Sequence, residues 1–132
     1  MTLKHVNVPT LDHDVMMEKR FNHTVSPLGR LERRVVAHLI AHLQEAGFTP
    51  VSVDYGEEDI SVSTMKEVME VVFNLDECAI YFKNSDGCTH GVFIVLGNSG
   101  WDSISDWSYS DDDADGFNAA MNVFLDEVET LV

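Results

Sequence analysis

Basic residues are scarce in this sequence: 8 Lys and Arg stand against 23 Asp and Glu among 132 residues, a formal net charge of −15. DNA, RNA and anionic membranes carry the same sign of charge, so the deficit predicts that the chain binds none of them directly. A partner protein with a basic surface is favoured instead, because its charge is complementary.

Cysteines and long apolar runs are also lacking. Two cysteines, Cys78 and Cys88, are too few for a disulfide framework. No run approaches the roughly 20 apolar residues of a membrane span, and the first 25 residues lack the apolar middle of a signal peptide. These features predict a cytoplasmic chain with reduced thiols. Its length and its 45% apolar residues predict one domain with its own core.

The acidic excess is confined to the part of the chain after residue 46. Residues 1–46 carry 6 of the 8 basic and 5 of the 23 acidic side chains, a net +1, which leaves a net −16 for residues 47–132. This asymmetry has two interpretations. Acidic residues keep small proteins soluble, or they form a binding face for a basic partner.

The spacing of apolar residues predicts an α+β fold in the order α-β-α-β-β(-β)-α, with helices packed on a small antiparallel sheet. Residues 1–25 lack periodicity and are expected to form a partly irregular N-terminal arm, and residues 26–132 a single α+β domain. The first helix is predicted over residues 26–46, because Ser26 can cap its start and Gly47 can close its end.

The remaining elements follow from the same signals. Alternation predicts a strand over residues 51–55, followed by a turn at residues 56–59. Thr64 and Glu67 have the spacing of a capping box before a helix over residues 65–73. Residues 78–83 and 91–97 are predicted to form a hairpin, with the apolar run 92–96 in a strand covered on both faces or flanked by neighbours. A buried helix segment is the alternative for this run, because periodicity alone does not distinguish the two. A further strand at residues 104–109 and a last helix over residues 117–131 complete the prediction.

Three patterns invite a metal or catalytic interpretation, and each is incomplete. His38 and His42 share a helix face, but a zinc site needs further ligands, for which Cys88 and His90 are the unplaced candidates. Cys88 and His90 could pair as nucleophile and base, yet no catalytic signature surrounds them. The carboxylates before Gly116 begin like a calcium loop but lack its closing Glu, so a capped helix start is the simpler interpretation. We expect no catalytic residue, metal or cofactor, and no enzyme.

Aromatic and acidic residues alternate between residues 101 and 115, and three more acids lie at residues 57–59. Aromatic side chains anchor interfaces and carboxylates complement a basic partner. We therefore expect a partner-binding patch formed by Trp101, Asp102, Asp106, Trp107, Tyr109, Asp111, Asp112, Asp113, Asp115, Glu57, Glu58 and Asp59. Core packing is the alternative for one Trp.

The segment GVFIVLGNSGWDSISDWSYS at residues 91–110, continued by DGFNAAM at residues 115–121, resembles the C-terminal part of small uncharacterised acidic proteins of bacteriophages and prophages. The likeness lies in a hydrophobic strand, a Gly-Asn turn, an Ile-Ser-Asp-Trp strand and an acidic approach to a last helix. It implies action against host defence, such as an anti-CRISPR or anti-restriction protein that presents carboxylates in place of phosphates. It carries no functional residues across.

Together, these patterns predict a phage or mobile-element protein in the cytoplasm of a bacterial host. It would bind a basic surface of a host nucleic-acid-binding complex and block it. The first alternative is a structural or regulatory homodimer, paired through its first or last helix, whose acidity serves only solubility. A weaker alternative is a metal-dependent enzyme that uses His38, His42 and Cys88.

Overall fold

Five antiparallel strands form one sheet in the order β2-β1-β3-β4-β5. The computed structural model describes residues 27–97, 102–109 and 112–128. Its elements are α1 (Pro27–Glu45), β1 (Thr49–Asp54), β2 (Asp59–Ser61), α2 (Met65–Val72), β3 (Glu77–Lys83), β4 (Thr89–Val95), β5 (Ile104–Trp107) and α3 (Phe117–Val128). The predicted α+β class and the antiparallel sheet are confirmed. The predicted arm at residues 1–25 and the Ser26 cap lie outside the described residues.

One strand is absent from the prediction. The turn expected at residues 56–59 is shorter, and β2 begins at Asp59 and pairs with β1. Gly56 makes the tight reversal possible with a φ of +97°, and its N–H donates to Asp54 Oδ1 at 2.8 Å. A three-residue strand with a single apolar residue, Ile60, is too short to produce a period-2 signal. The described order is therefore α-β-β-α-β-β-β-α.

The helix ends agree closely with the capping signals. Gly47 closes α1 with a φ of +95°, and the Phe48 N–H donates to the Leu43 carbonyl. At the start of α2, Thr64 Oγ1 accepts from the Glu67 N–H at 3.2 Å. The Glu67 carboxylate accepts in return from the hydroxyls of Ser63 and Thr64. Thr64 and Glu67 thus bond each other in both directions, as the predicted capping box requires.

All three described helices contribute to a core on one face of the sheet. The strand residues Val53, Ile80, Phe82 and Val92 are fully buried there against helix residues such as Leu39. The alternate strand residues form the second face, which we call the open face. It consists of Ser52, Asp54, Asp59, Ser61, Glu77, Ala79, Tyr81, Lys83, Thr89, Gly91, Phe93, Val95 and Asp106.

No helix in the described part of the chain covers the open face, so Phe93 remains 42% exposed at its middle. Of the two strand environments expected for the apolar run at residues 92–96, the structure shows the one flanked by neighbouring strands. β4 is flanked by β3 and β5, and it is buried on one face only. Among the described helices, none combines the length and the apolar character that crossing a membrane requires.

Candidate partner-binding site

One row of residues on the open face takes a member from each of the five strands. Asp59 lies opposite Asp54, Asp54 opposite Ala79, Ala79 opposite Phe93, and Phe93 opposite Asp106. Neighbouring strands are about 4.8 Å apart, so the row extends over roughly 19 Å. Carboxylates therefore stand at both ends of the row, with an apolar centre between them.

Within the part of the chain that the structure describes, no Lys or Arg neutralises the carboxylates of this row. Within the described residues, neither Asp54, Asp59 nor Asp106 has a Lys or Arg within ion-pair distance, and Lys83 is the basic residue on the open face. Two of these carboxylates each accept one backbone N–H at 2.8 Å, from Gly56 to Asp54 and from Trp107 to Asp106. Each still has an oxygen available to a partner, so the row presents negative charge to solvent.

The centre of the open face is aromatic because one strand residue lacks a side chain. Gly91 pairs with Tyr81 across β3 and β4, and a Cβ at Gly91 would come within 3.0 Å of Tyr81 Cε1. The Tyr81 ring therefore lies over Gly91, in space that any other residue would fill. Phe93 lies two residues further along the same strand and on the same face, so both rings belong to the open face, and we call them its aromatic surface.

A concavity of about 530 Å³ lies on this face between the aromatic centre and the acids. Its lining includes the carboxylates Asp54, Glu77 and Asp106 and the apolar side chains Ala79, Tyr81, Phe93 and Val95. The combination suits a ligand group that is both positively charged and able to lie against a ring.

The structure brings only some of the predicted patch to the open face. Asp59 and Asp106 belong to it. Glu57 and Glu58 are exposed in the adjoining turn between β1 and β2, where the Tyr55 hydroxyl donates to Glu58 Oε2 at 3.3 Å. Burial, followed by the charge of Glu58 and this hydrogen bond, raises the pKa of Tyr55 above its ordinary value of 10.0.

The predicted residues around β5 are divided between environments. Tyr109 is 51% exposed just after the strand, whereas Asp102 is half-buried before it. Trp107 lies on the helix-covered side, where its Nε1–H donates to Asn118 Oδ1 at 2.9 Å and ties β5 to α3. Trp107 is therefore partly buried and packs against the core. Trp101 lies outside the described residues.

The acids before α3 are largely committed to the helix start. Asp113, at a φ of +45°, accepts from the N–H groups of Asn118 at 2.8 Å and Ala119 at 3.0 Å. Asp112 is exposed and accepts from the Ala114 N–H at 3.2 Å. The two Asp113 bonds satisfy helix N–H groups that have no partner inside the helix, whereas the Asp112 bond closes the turn before it. Carboxylates at this position also oppose the helix dipole favourably. The interpretation as a capped helix start is confirmed. Asp111 lies outside the described residues.

Asp115 belongs to a partly buried polar cluster that local sequence patterns do not reveal. His90 Nε2 donates to Asp115 Oδ2 at 2.6 Å, and Asn84 Nδ2 donates to the same oxygen at 3.0 Å. The His90 ring stacks on Phe117, with centroids 4.2 Å apart, and meets the edge of Phe48. Asp115 thus connects the β3–β4 hairpin to the start of α3. Its charge faces inward.

Opposing effects act on the pKa of Asp115. Burial works to raise it, but hydrogen bonds from His90 and the Phe117 N–H, with the charge of His90, hold the pKa below its usual value of 3.8. The carboxylate is therefore the form that this cluster stabilises. Cys88, the candidate nucleophile beside His90, is exposed, and in the described residues its thiol makes no hydrogen bond to the His90 ring.

The two helix histidines are also used within the fold. His38 is buried on α1, and His42 Nε2 donates to the Ala120 carbonyl at 2.9 Å, with its ring near Phe124. The described residues contain no group of three or more His, Cys, Asp or Glu side chains placed to hold a metal ion. The contacts give His42 a structural role, because it joins α1 to α3.

The chain matches no protein-family model, no curated protein and no solved structure.

Proposed function

We propose that this chain is a small acidic binding protein of phage or mobile-element type. It covers a basic surface of a host nucleic-acid-binding complex, such as a CRISPR or restriction system, and blocks that surface without catalysing a reaction. In this role it is a nucleic-acid mimic, because its carboxylates engage Lys and Arg side chains that otherwise hold phosphates.

The single observation that carries the proposal is the row from Asp59 to Asp106 on the open face. Its carboxylates lie on the sheet, form no ion pair with Lys or Arg among the described residues, and flank an exposed apolar centre at Phe93. Acids that serve solubility alone need no such arrangement, whereas interfaces combine an apolar or aromatic centre with a charged rim. The net charge of −15 adds long-range attraction to a basic partner.

The test is affinity capture from a bacterial lysate, with the wild-type chain beside two variants. One variant carries Asp54→Asn, Asp59→Asn and Asp106→Asn together. The control carries Asp126→Asn, which removes one negative charge from the exposed surface of α3. We expect wild type and control to retain nucleic-acid-binding proteins that duplex DNA and high salt both displace, because DNA and the acidic face compete for the same basic groups.

Two results would contradict the proposal. The first is retention that is insensitive to salt and to added DNA, because charge complementarity would then play no part. The second is a stable homodimer by sedimentation that buries the open face, since acidity would then serve solubility alone.

A further inference from the structure

We propose that the concavity on the open face binds arginine side chains of an extended basic segment of the partner. This inference rests on the proposed function and names the chemical group by which the basic partner is recognised. The occupant is argued from charge complementarity and from the aromatic surface formed by Tyr81 and Phe93.

Charge complementarity selects a cation. The concavity is lined by three carboxylates, Asp54, Glu77 and Asp106, and no basic side chain contributes to its lining. Asp54 also faces Asp59 directly across β1 and β2, which places two like charges at one cross-strand position. Like charges opposite each other are unfavourable, and a bound cation relieves their repulsion.

The aromatic centre selects arginine among cations. Guanidinium is planar and weakly hydrated, so it stacks on aromatic faces while its N–H groups reach carboxylates. Tyr81 is held over Gly91, and Phe93 is 42% exposed beside it, so both rings are available to such a group. A lysine ammonium is a compact, strongly hydrated charge and uses the rings less well. A nucleic-acid base would also stack, but its phosphates would meet the carboxylates.

The length of the row indicates how the segment lies. The roughly 19 Å from Asp59 to Asp106 corresponds to about six residues of extended chain. A segment that crosses the strands can therefore place one arginine near Asp54 and Asp59 and a second near Asp106, with an apolar residue between them over Phe93.

The experiment measures binding of a fluorescent oligo-arginine peptide and an oligo-lysine peptide of equal length to the full chain, by anisotropy at low and at higher salt. We expect the arginine peptide to bind about tenfold more tightly, because stacking and charge-assisted hydrogen bonds add to the ion pairs. Phe93→Ala and Asp106→Asn should each weaken the arginine peptide by several-fold to about tenfold. Asp126→Asn, with the same loss of charge on α3, should leave its affinity nearly unchanged.

A second variant tests the aromatic surface without removing any ring or charge. In Gly91→Ala, the added methyl group would displace the Tyr81 ring from its place on the sheet. The arginine peptide should lose affinity in this variant while the lysine peptide does not, so the ratio between the two peptides falls. Equal losses for both peptides would contradict a stacking role for Tyr81.

The remaining outcomes separate this inference from the proposed function. Equal affinity for both peptides in every variant overturns the arginine site but not the function, and failure to bind either peptide overturns both. If Asp112→Asn lowers the affinity for the arginine peptide more than Asp106→Asn does, the peptide binds at the start of α3 and not on the open face. A wild-type dimer that Phe93→Ala dissociates shows that a second copy occupies the face.

Discussion

Asp54 on β1 and Asp59 on β2 lie directly opposite each other in the antiparallel register, so two carboxylates share one cross-strand position on the open face. Side chains at such positions are about 4.5 to 5.5 Å apart at Cβ, and like charges there weaken the pairing of the strands. β2 is only three residues long and forms an edge of the sheet. The repulsion between Asp54 and Asp59 therefore acts on the pairing of a short edge strand.

Removing one of these charges should stabilise the free protein. We expect Asp59→Asn to raise the free energy of unfolding by about 0.2 to 1 kcal/mol, because it ends the repulsion with Asp54. Urea unfolding at low salt measures the change, and added salt should shrink it. Asp126→Asn is the control, since that side chain is exposed on α3. A destabilised Asp59→Asn variant would mean that the carboxylate supports the fold.

The Asp115 cluster predicts a stability difference that depends on pH. Asp115→Asn replaces a charge-assisted hydrogen bond to His90 by a neutral one, and should lower the free energy of unfolding by about 1 kcal/mol near pH 7. The pKa of Asp115 is lowered in the folded state, so its contribution is complete above the unfolded value, near 3.8, and is lost as pH falls through the folded value.

Urea unfolding of wild type and Asp115→Asn over a pH series tests this direction. The two proteins should differ at neutral pH and converge in the acid range, where wild-type Asp115 is protonated too. A difference that grows as the pH falls below 4 would contradict the assignment of the carboxylate as the stabilised form.

The Asp113 cap at the start of α3 should make a contribution to stability that an exposed Asp inside the helix does not make. Asp113→Ala removes the acceptor of the Asn118 and Ala119 N–H groups, and should cost about 1 kcal/mol of unfolding free energy, within a range of about 0.5 to 2 for such caps. Asp126→Ala, inside the same helix and exposed, should be neutral or slightly stabilising because Ala favours helix. Equal effects in the two variants would deny Asp113 its capping role.

Much of the fold follows from local signals. The buried stripe of α1, the closure at Gly47 and the capping box of Thr64 and Glu67 are all visible in residue spacing. β2 is not, because one apolar residue in three carries no periodicity. Strand order is also hidden, since β1 pairs with β3 across an intervening helix that places no constraint on register.

The candidate site is only partly visible for the same reason. Asp59 and Asp106 are individually recognisable as acids among strands, but their common row depends on four strand registers that join residues up to 52 positions apart, such as Asp54 and Asp106. Phe93 lies within an apolar run whose sequence predicts burial, although its side chain is exposed in the structure. The inward turn of Asp115 depends on His90, which is 25 residues away. Long-range pairing decides which acids face a partner.

The two cysteines should differ sharply in reactivity. Cys78 is buried on β3, and burial raises the pKa of its thiol to about 12, so almost none of it is thiolate near pH 8. Cys88 is exposed in the hairpin between β3 and β4. Titration of the native protein with a thiol-specific chromogenic reagent should therefore show one fast equivalent, and Cys88→Ser should abolish it. Denaturant should release the second. Two fast equivalents in the native protein would place Cys78 within reach of solvent, and would contradict the packing of β3 against the helices.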